Sequence, residues 1–290
     1  MIFESDIGHD PDDFWTLCWF IENNIKIHGI TIHPGYKDQV AFVKFVLKEC
    51  GLDIPVGTLG KESEKPGIQG QHGTFLHKYH YPMREEADCN SVDLIKQFKD
   101  EDLFIIGPFT NVAKYIDTYP EGTFNKVFVQ GGYISYEEME KNGIIADIKK
   151  EHFVGYPKQP STNVCGASKY VEPLKARSND ISFITKSLCH TVRINRDIFT
   201  QYFDEKPKNR GGELLREALD MYLGYGKQDK AMHDVVAAHF LIRPQYYKFL
   251  KGAMYCSGGK CWFDTSTDGK NNVAVAMDRE QYWNDLSKGF

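Results

Sequence analysis

Short apolar segments alternate with helical patterns along the first half of the chain. We predict strands in the apolar segments 1–5, 25–32, 54–57, 103–106 and 126–130. Between them apolar residues recur at helical spacing, as at Phe14, Leu17, Cys18 and Ile21. Strands that alternate with helices favour a parallel sheet covered on both faces. The sequence therefore predicts an α/β fold, Rossmann-like, with a mainly parallel central sheet and helices on both faces.

The second half continues this pattern with fewer strands. We predict strands at 181–185 and 273–277, a hairpin over 253–264, and helices at 196–203, 212–222 and 231–241. Two long polar segments, 61–90 and 133–159, are predicted to be irregular, and a short helix at 167–172 to be interrupted at Pro173. Because no repeat, linker or low-complexity tract divides the chain, we predict a single domain over residues 1–290.

The composition excludes several classes of protein. The formal net charge of -5 gives no reason to expect binding to nucleic acid or to an anionic membrane. No signal-peptide pattern opens the sequence, and no apolar run approaches the ~18 residues that span a bilayer. The seven cysteines are scattered without zinc-ligand spacing, so we expect reduced thiols in a cytoplasmic protein.

The loop after the first predicted strand is densely acidic. Asp6, Asp10, Asp12 and Asp13 lie close together in it, between a strand and a helix. Like charges at this spacing repel one another, and a hard divalent cation such as calcium or magnesium relieves that repulsion. Helix capping is the alternative, with Asp10 as N-cap and Pro11 at the first helical position. Capping explains Asp10 and one further aspartate but leaves Asp6 unexplained, so we favour a metal site.

Residues at the ends of other predicted strands can join this loop. Gly35, Ile106 and Gly131 fall at such ends, as Asp6 does. The carboxyl ends of parallel strands share one edge of a sheet, where α/β proteins bind their ligands. We therefore expect these residues to meet at one cleft.

Several short motifs follow the acidic loop in an order that resembles one known family. They are a Gly-Pro-Phe-Thr-Asn turn at 107–111, a Gln-Gly-Gly strand end at 130–132, Asn163, and the pair His233-Asp234. Their order and spacing resemble the calcium-dependent nucleoside hydrolases, also called inosine-uridine preferring, along nearly the whole chain. The resemblance implies the nucleoside hydrolase fold, bound Ca²⁺, hydrolysis of a nucleoside to free base and ribose, and assembly into dimers or tetramers.

The resemblance also implies roles for individual residues. Asp6 would bind calcium and act as general base on the attacking water, and His233 would protonate the leaving base. The remaining calcium ligands would be Asp13, the backbone carbonyl of Ile106, and Asp234. The implied substrate contacts are Asp12, Asn163 and Asp234, to which we add Asp10, His72 and Gln130 as candidates.

Some positions depart from the motifs of the family. Glu4 replaces the first aspartate of the loop, which is also two residues longer than its usual form. Tyr156 and Ser161 replace the asparagine and glutamate with which the family holds the ribose 5′-hydroxyl. We therefore predict a substrate with a different 5′ end: a nucleotide, a dinucleotide or another 5′-substituted nucleoside. Lys37 or Lys158 would meet a 5′-phosphate, unless both are solvated surface lysines.

Two alternatives use the same residues differently. An aspartyl phosphatase of the haloacid dehalogenase type needs an Asp-x-Asp pair that begins at the nucleophile, and Gly8 breaks that pair after Asp6. A non-catalytic relative that binds calcium and a nucleoside is the other alternative. The joint presence of Asp13, Asn163 and Asp234 with Asp6 argues against it.

Overall fold

The computed structural model describes residues 1–60, 66–141, 161–226, 229–257, 260–264 and 269–288. Its strands are β1 (Ile2–Ser5), β2 (Gly29–Ile32), β3 (Val56–Thr58), β4 (Cys89–Asn90), β5 (Leu103–Ile105), β6 (Phe124–Gln130), β7 (Tyr133–Ile134), β8 (Ser178–Ile184), β9 (Arg193–Asn195), β10 (Asp229–Ala231), β11 (Tyr247–Ser257), β12 (Lys260–Asp264) and β13 (Asn271–Met277). Its helices are α1 (Asp12–Glu22), α2 (Lys37–Glu49), α3 (Gln71–Lys78), α4 (Ser91–Gln97), α5 (Thr110–Thr118), α6 (Tyr136–Lys141), α7 (Thr162–Cys165), α8 (Val171–Ala176), α9 (Lys186–Cys189), α10 (Arg196–Tyr202), α11 (Arg210–Gly224), α12 (His233–Ile242) and α13 (Arg279–Lys288).

One large sheet carries most of these strands, in the order β4-β3-β2-β1-β5-β6-β8-β13-β11-β12-β7. Neighbouring strands from β4 to β13 are parallel; Ile2 of β1, for example, pairs with Gly29 on one side and Leu103 on the other. β11 is antiparallel to both of its neighbours, β13 and β12. β9 and β10 form a separate antiparallel pair. The predicted α/β fold with a mainly parallel central sheet is confirmed.

Side chains of the central strands alternate between two apolar cores, one on each face of the sheet. Phe3 of β1 and Phe104 of β5 belong to the first core, whereas Ile2, Leu103 and Ile105 belong to the second. The first core includes residues of α1, α2, α11 and α12, and the second includes residues of α4, α5 and α8. Because successive side chains of a strand point to opposite faces, a sheet with both faces buried needs helices on both sides.

Three expectations about local structure are wrong in part. The segment 61–90, expected to be irregular, contains α3, whose residues Phe75 and Leu76 are fully buried. The described part of 133–159 contains β7 and α6. Pro173 does not interrupt a helix, because it lies in the first turn of α8, where backbone N–H groups have no intrahelical partner.

The start of α1 differs from the capping expectation. Pro11, and not Asp10, occupies the N-cap position, and no side chain caps this end of the helix. Asp12 and Asp13 lie in the first turn, as expected. The carboxylate of Asp10 instead pairs with Lys230. Capping therefore does not account for the aspartates of the loop.

The cysteines also differ from expectation at one place. Cys256 of β11 and Cys261 of β12 lie directly opposite each other in the antiparallel hairpin and form a disulfide. The expectation of reduced thiols is therefore wrong for this pair, because strand register brings together two residues that sequence spacing left unassigned. Cys18, Cys50, Cys89 and Cys189 are free. No helix in the described ranges is long and apolar enough to cross a membrane.

Candidate active site

The carboxyl ends of β1, β5, β6 and β8 border one pocket of about 210 Å³. Loops that follow neighbouring parallel strands bring residues that are distant in sequence to the same edge of the sheet. The lining residues are Asp6, His9, Asp10, Asp12, Asp13, Ile106, Gln130, Thr162, Asn163, Lys186, His233 and Asp234.

Close packing sets the path of the acidic loop between β1 and α1. Gly8 has a φ of 137°, and a Cβ there would lie 2.4 Å from the carbonyl oxygen of Gly67. Gln39 of α2 donates through its side-chain amide to the carbonyl of Ile7 at 2.8 Å. The backbone N–H of Ile7 donates in turn to the Ser5 hydroxyl at 3.0 Å. The loop is thus held from both sides, and only glycine fits its tightest point.

Three buried carboxylates converge in the pocket. One oxygen from each of Asp12, Asp13 and Asp234 lies within 4.8 Å of the others, and these residues are only 1%, 2% and 5% exposed. The Ser5 hydroxyl donates to Asp13 at 2.6 Å, whereas neither carboxylate oxygen of Asp12 has a hydrogen-bond donor. Burial, followed by the neighbouring carboxylates, raises the pKa of Asp13 and of Asp234 well above the ordinary value. Hard oxygen ligands that repel one another in this way fit a calcium or magnesium ion.

A second group of possible ligands shares Asp12 with the first. Atoms of Asp10, Asp12 and His233 also lie within 4.8 Å of one another. Here the chain supplies its own cation, because the ammonium of Lys230 lies 2.7 Å from Asp10 and 3.3 Å from Asp12. The contact to Asp12 is an ion pair without hydrogen-bond geometry. The two groups therefore differ in how their negative charge is balanced.

Asp6 lines the same pocket at the end of β1. Burial, and next the charge of Asp12, raise the pKa of Asp6 to about 7, and Lys186 acts in the opposite direction. A Cβ on Gly107 would lie 2.5 Å from the backbone nitrogen of Asp6, so this turn approaches the loop as closely as glycine permits. A carboxylate whose pKa lies near neutrality is suited to accept a proton at physiological pH.

Amide groups form the floor of the pocket. The Asn163 side-chain amide donates to the Ile106 carbonyl and, at 2.7 Å, to the side-chain oxygen of Gln130. Gln130 contacts the thiol of Cys189, at 3.8 Å between nitrogen and sulfur. These hydrogen bonds fix the Ile106 carbonyl and the Asn163 amide beside the carboxylates.

His233 lines the pocket at the start of α12. Its Nδ1 lies 3.7 Å from Asp12, its ring packs edge-on against His190 with centroids 4.8 Å apart, and its Nε2 has no hydrogen-bond partner. Burial, followed by the positive charge of Lys230, lowers the pKa of His233 well below the ordinary value. The ring is therefore neutral at pH 7 and offers a substrate one N–H donor.

These features, a pocket at the strand ends with clustered carboxylates and a histidine, agree with the family that the sequence motifs resemble. A model of the inosine-uridine preferring nucleoside hydrolases matches residues 1–284. The chain belongs to this family. Nucleoside hydrolases are N-ribohydrolases, enzymes that act on N-glycosyl compounds, and the acidic group of this chain is a possible site for the metal on which the family depends.

The individual proteins that match the chain are only distantly similar to it. An uncharacterized protein of Aquifex aeolicus (strain VF5) is 23% identical over 298 residues, which cover 93% of this chain and 91% of that protein. The structure of a plant nucleoside hydrolase, the PpNRh1 enzyme, has a TM-score of 0.73 at 17% identity, covering 99% of this chain and 97% of that one. The inosine-uridine preferring nucleoside hydrolase of Bacillus anthracis has a TM-score of 0.70 at 14% identity, with the same coverage. At these identities the structures establish the shared fold.

Most of the predicted site residues of this nucleoside hydrolase line the pocket. His72 does not. It is buried between Phe14 and Phe42, with its ring centroid 4.7 Å from that of Phe42, and its Nδ1 contacts the Gln69 carbonyl. Burial lowers the pKa of His72 to about 4. The residue therefore packs within the aromatic core, against Phe14 of α1 and Phe42 of α2.

Of the two lysines expected to meet a 5′-phosphate, the structure describes only Lys37. Lys37 pairs with Glu86 and does not line the cavity. Lys158 lies outside the described residues. Ser161, which takes the place of the family glutamate, is fully buried and accepts a hydrogen bond from the backbone of Gly132 at 3.0 Å.

Sequence reasoning missed several residues of the pocket. His9, Thr162 and Lys186 line it, and Lys230 pairs with two of its carboxylates. Lys186 follows the predicted strand end at 181–185, so the rule that ligands bind at strand ends was sufficient to identify it. Lys230 carried no such signal, because its role depends on a contact across more than 200 residues of sequence.

Proposed function

We propose that this protein hydrolyses the N-glycosidic bond of a ribonucleoside, or of a related N-riboside, to free base and ribose, with calcium as its metal. The observation that carries the proposal is the convergence of three buried carboxylates, Asp12, Asp13 and Asp234, beside Asp6 in one pocket. Asp6, Asp13, Asp234 and the carbonyl of Ile106 are the proposed ligands of the ion. When bound, the ion supplies Lewis acidity that lowers the pKa of a water molecule.

Side chains of the protein carry out proton transfer, sugar binding and stabilisation of the leaving base. Asp6 accepts a proton from the water whose oxygen attacks C1′ while the C1′–N bond breaks. Asp12 and Asn163 accept hydrogen bonds from the sugar hydroxyls through their side-chain oxygens, which positions C1′. His233 donates an N–H to the departing base, which leaves with the bonding electron pair.

We also propose that recognition of the 5′ end is altered. Because Ser161 is fully buried and bound to Gly132, it does not replace the contact of the family glutamate with the 5′-hydroxyl. Lys186 lines the pocket and has no hydrogen bond or ion pair to its ammonium within the described ranges. A lysine in the lining of the pocket suits a substrate that carries a phosphate or another acceptor at its 5′ end.

The resemblance to the family carries three further proposals. The protein acts in nucleoside salvage, in the cytoplasm, and as a homodimer or homotetramer. Size-exclusion chromatography with light scattering tests the assembly directly, and a monomeric mass would contradict it.

The test of the activity is the release of free base from a panel of nucleosides, 2′-deoxynucleosides, 5′-nucleotides and NAD. Each reaction is run with calcium and with chelator, for the native protein, Asp6→Asn and the control Asp93→Asn, an exposed carboxylate on α4. We expect calcium-dependent release that Asp6→Asn lowers by ~10²–10⁴-fold and Asp93→Asn leaves unchanged.

Two outcomes would contradict the proposals separately. Calcium binding by calorimetry without release of base from any substrate would identify a non-catalytic relative. Good activity on plain nucleosides, with no gain from a 5′-phosphate, would remove the proposal of an altered 5′ end and leave the hydrolase intact.

A further inference from the structure

The pocket contains two overlapping groups of possible metal ligands. Asp10, Asp12 and His233 form one group of possible ligands, and Asp12, Asp13 and Asp234 form the other. Asp12 belongs to both groups. Centres with two metal ions hold them roughly 3.5–4 Å apart, so a bridging carboxylate such as Asp12 is what a dinuclear site would need.

Lys230 already occupies one of these two positions. Its ammonium contacts Asp10 at 2.7 Å and Asp12 at 3.3 Å, and its side chain is only 12% exposed. Within the described ranges, no lysine or arginine nitrogen lies within 4.0 Å of a carboxylate oxygen of Asp13 or Asp234. The chain therefore places its own cation beside Asp10 and Asp12 and leaves Asp13 and Asp234 without one within the described ranges.

A two-stranded ribbon carries this lysine. Lys230 is the central residue of β10 and pairs with Ile194 of β9. Its neighbour Asp229 binds Arg193 through two hydrogen bonds of 2.7 Å. Because successive side chains of a strand point to opposite sides, this fork of hydrogen bonds on one side directs Lys230 to the other, where the pocket lies.

We propose that Lys230 is a positioning residue that takes the place of a second metal ion and reserves Asp10 and Asp12 for the sugar. The ammonium holds Oδ1 of Asp12, and Oδ2 remains on the side of His233, 3.7 Å from its Nδ1. Since Asp12 is the proposed partner of a ribose hydroxyl, this part of the inference rests on the proposed function. Lys230 thereby determines two properties, the number of ions bound and the preference for ribose over 2′-deoxyribose.

The first test counts the ions bound by the folded protein. Equilibrium dialysis with Ca²⁺ and with Mn²⁺, which accepts imidazole as well as carboxylate ligands, is run on the native chain, Lys230→Met, Lys230→Gln and Lys230→Arg. The control is Lys114→Met, an exposed lysine on α5. We expect one ion per chain in the native protein, Lys114→Met and Lys230→Arg, and a second ion in Lys230→Met and Lys230→Gln.

The second test compares substrates. We expect Lys230→Met to lower kcat/KM for a ribonucleoside by ~10–100-fold, the usual loss when a supporting contact is removed. The kcat/KM for the matching 2′-deoxynucleoside should change far less, because this substrate lacks the hydroxyl that is proposed to donate a hydrogen bond to Asp12. Lys230→Arg should restore the preference for ribose because it restores the charge.

The outcomes separate this proposal from the proposed function. If Lys230→Met and Lys230→Gln, both folded by circular dichroism, bind a single ion and keep the native preference for ribose, Lys230 does not have this role. If the native protein releases no base from any substrate, the proposed function fails, and the ion count still decides whether Lys230 replaces a metal ion.

Discussion

Two buried acidic sites lie at the same end of β1 and are stabilised in different ways. Glu4 is fully buried; the Thr31 hydroxyl donates to it, and the Asn111 amide donates to both of its oxygens at 3.0 and 3.1 Å. Asp13 is 2% exposed and receives one side-chain donor, Ser5. Neither oxygen of Asp12 has a hydrogen-bond donor.

The difference shows two ways to bury an acidic group. At Glu4 hydrogen bonds from Thr31 and Asn111 surround the carboxyl, and burial raises its pKa to about 8. At Asp12, Asp13 and Asp234 several carboxylates share one pocket with few donors. Lys230 lies beside Asp12, and the charge of Asp13 and Asp234 has to be balanced from outside the chain. Glu4 is therefore a structural residue, and the aspartates form a cation site. The following predictions test this distinction, from the largest expected effect to the smallest.

Asp13→Asn should lose activity, whereas Glu4→Gln should retain it. Asp13→Asn removes one charge from the cation site, and we expect loss of calcium binding together with a fall in kcat/KM of at least ~10³-fold, because a metal ion contributes several kcal/mol to the transition state. Glu4→Gln should retain both calcium binding and the native kcat/KM. Calorimetry and base release measure them, and a Glu4→Gln variant that no longer binds calcium would contradict the distinction.

Glu4→Gln should instead change the pH dependence of stability. The native protein retains the proton of Glu4 up to about pH 8, whereas the unfolded chain releases it near 4.5. The folded state thus binds more protons in this window, and the free energy of unfolding of the wild type should fall relative to that of Glu4→Gln as the pH rises through it. We expect a difference of a few kcal/mol at pH 8, from urea unfolding in chelator. Parallel pH profiles for the two proteins would show that Glu4 is not protonated.

Calcium should stabilise only proteins with an intact cation site. At ~100 times its Kd, a ligand of the folded state raises the free energy of unfolding by about 2.7 kcal/mol. We expect this increase in the wild type and in Glu4→Gln, and none in Asp13→Asn. Urea unfolding with and without calcium measures it. An equal increase in Asp13→Asn would place the ion elsewhere.

The smallest effects on calcium affinity should come from replacing the serines that donate hydrogen bonds at the two acidic sites. Ser5 donates to Asp13 at 2.6 Å, and Ser91 donates to Asn111, the partner of Glu4, at 2.9 Å. Ser5→Ala should weaken calcium binding by ~10-fold, as expected when a group that orients a ligand is removed. Ser91→Ala should leave calcium affinity unchanged. Equal losses in calorimetric titrations of the two variants would mean that the two acidic sites are one network.

Much of the site followed from local sequence patterns. The strand that ends at Ser5, the acidic loop and the helix beginning near Asp12 were predicted from periodicity and composition. Of the other strand-end residues expected at the cleft, Ile106 lines the pocket, whereas Gly35 and Gly131 do not. These features depend on neighbours in the sequence or on the general rule that parallel strands end at one edge. His72 was misplaced because a histidine in a polar segment gave no sign of the aromatic core around it.

By itself the sequence determined the α/β architecture, the acidic loop and the order of motifs that define the family, since strand and helix periods and loop chemistry are local properties. Only the tertiary structure decided which carboxylates are neutralised within the chain. Glu4 meets Asn111 and Asp10 meets Lys230 across long stretches of sequence, and Cys256 meets Cys261 through strand register. Such pairings depend on how whole elements pack together, and no short sequence pattern encodes that packing.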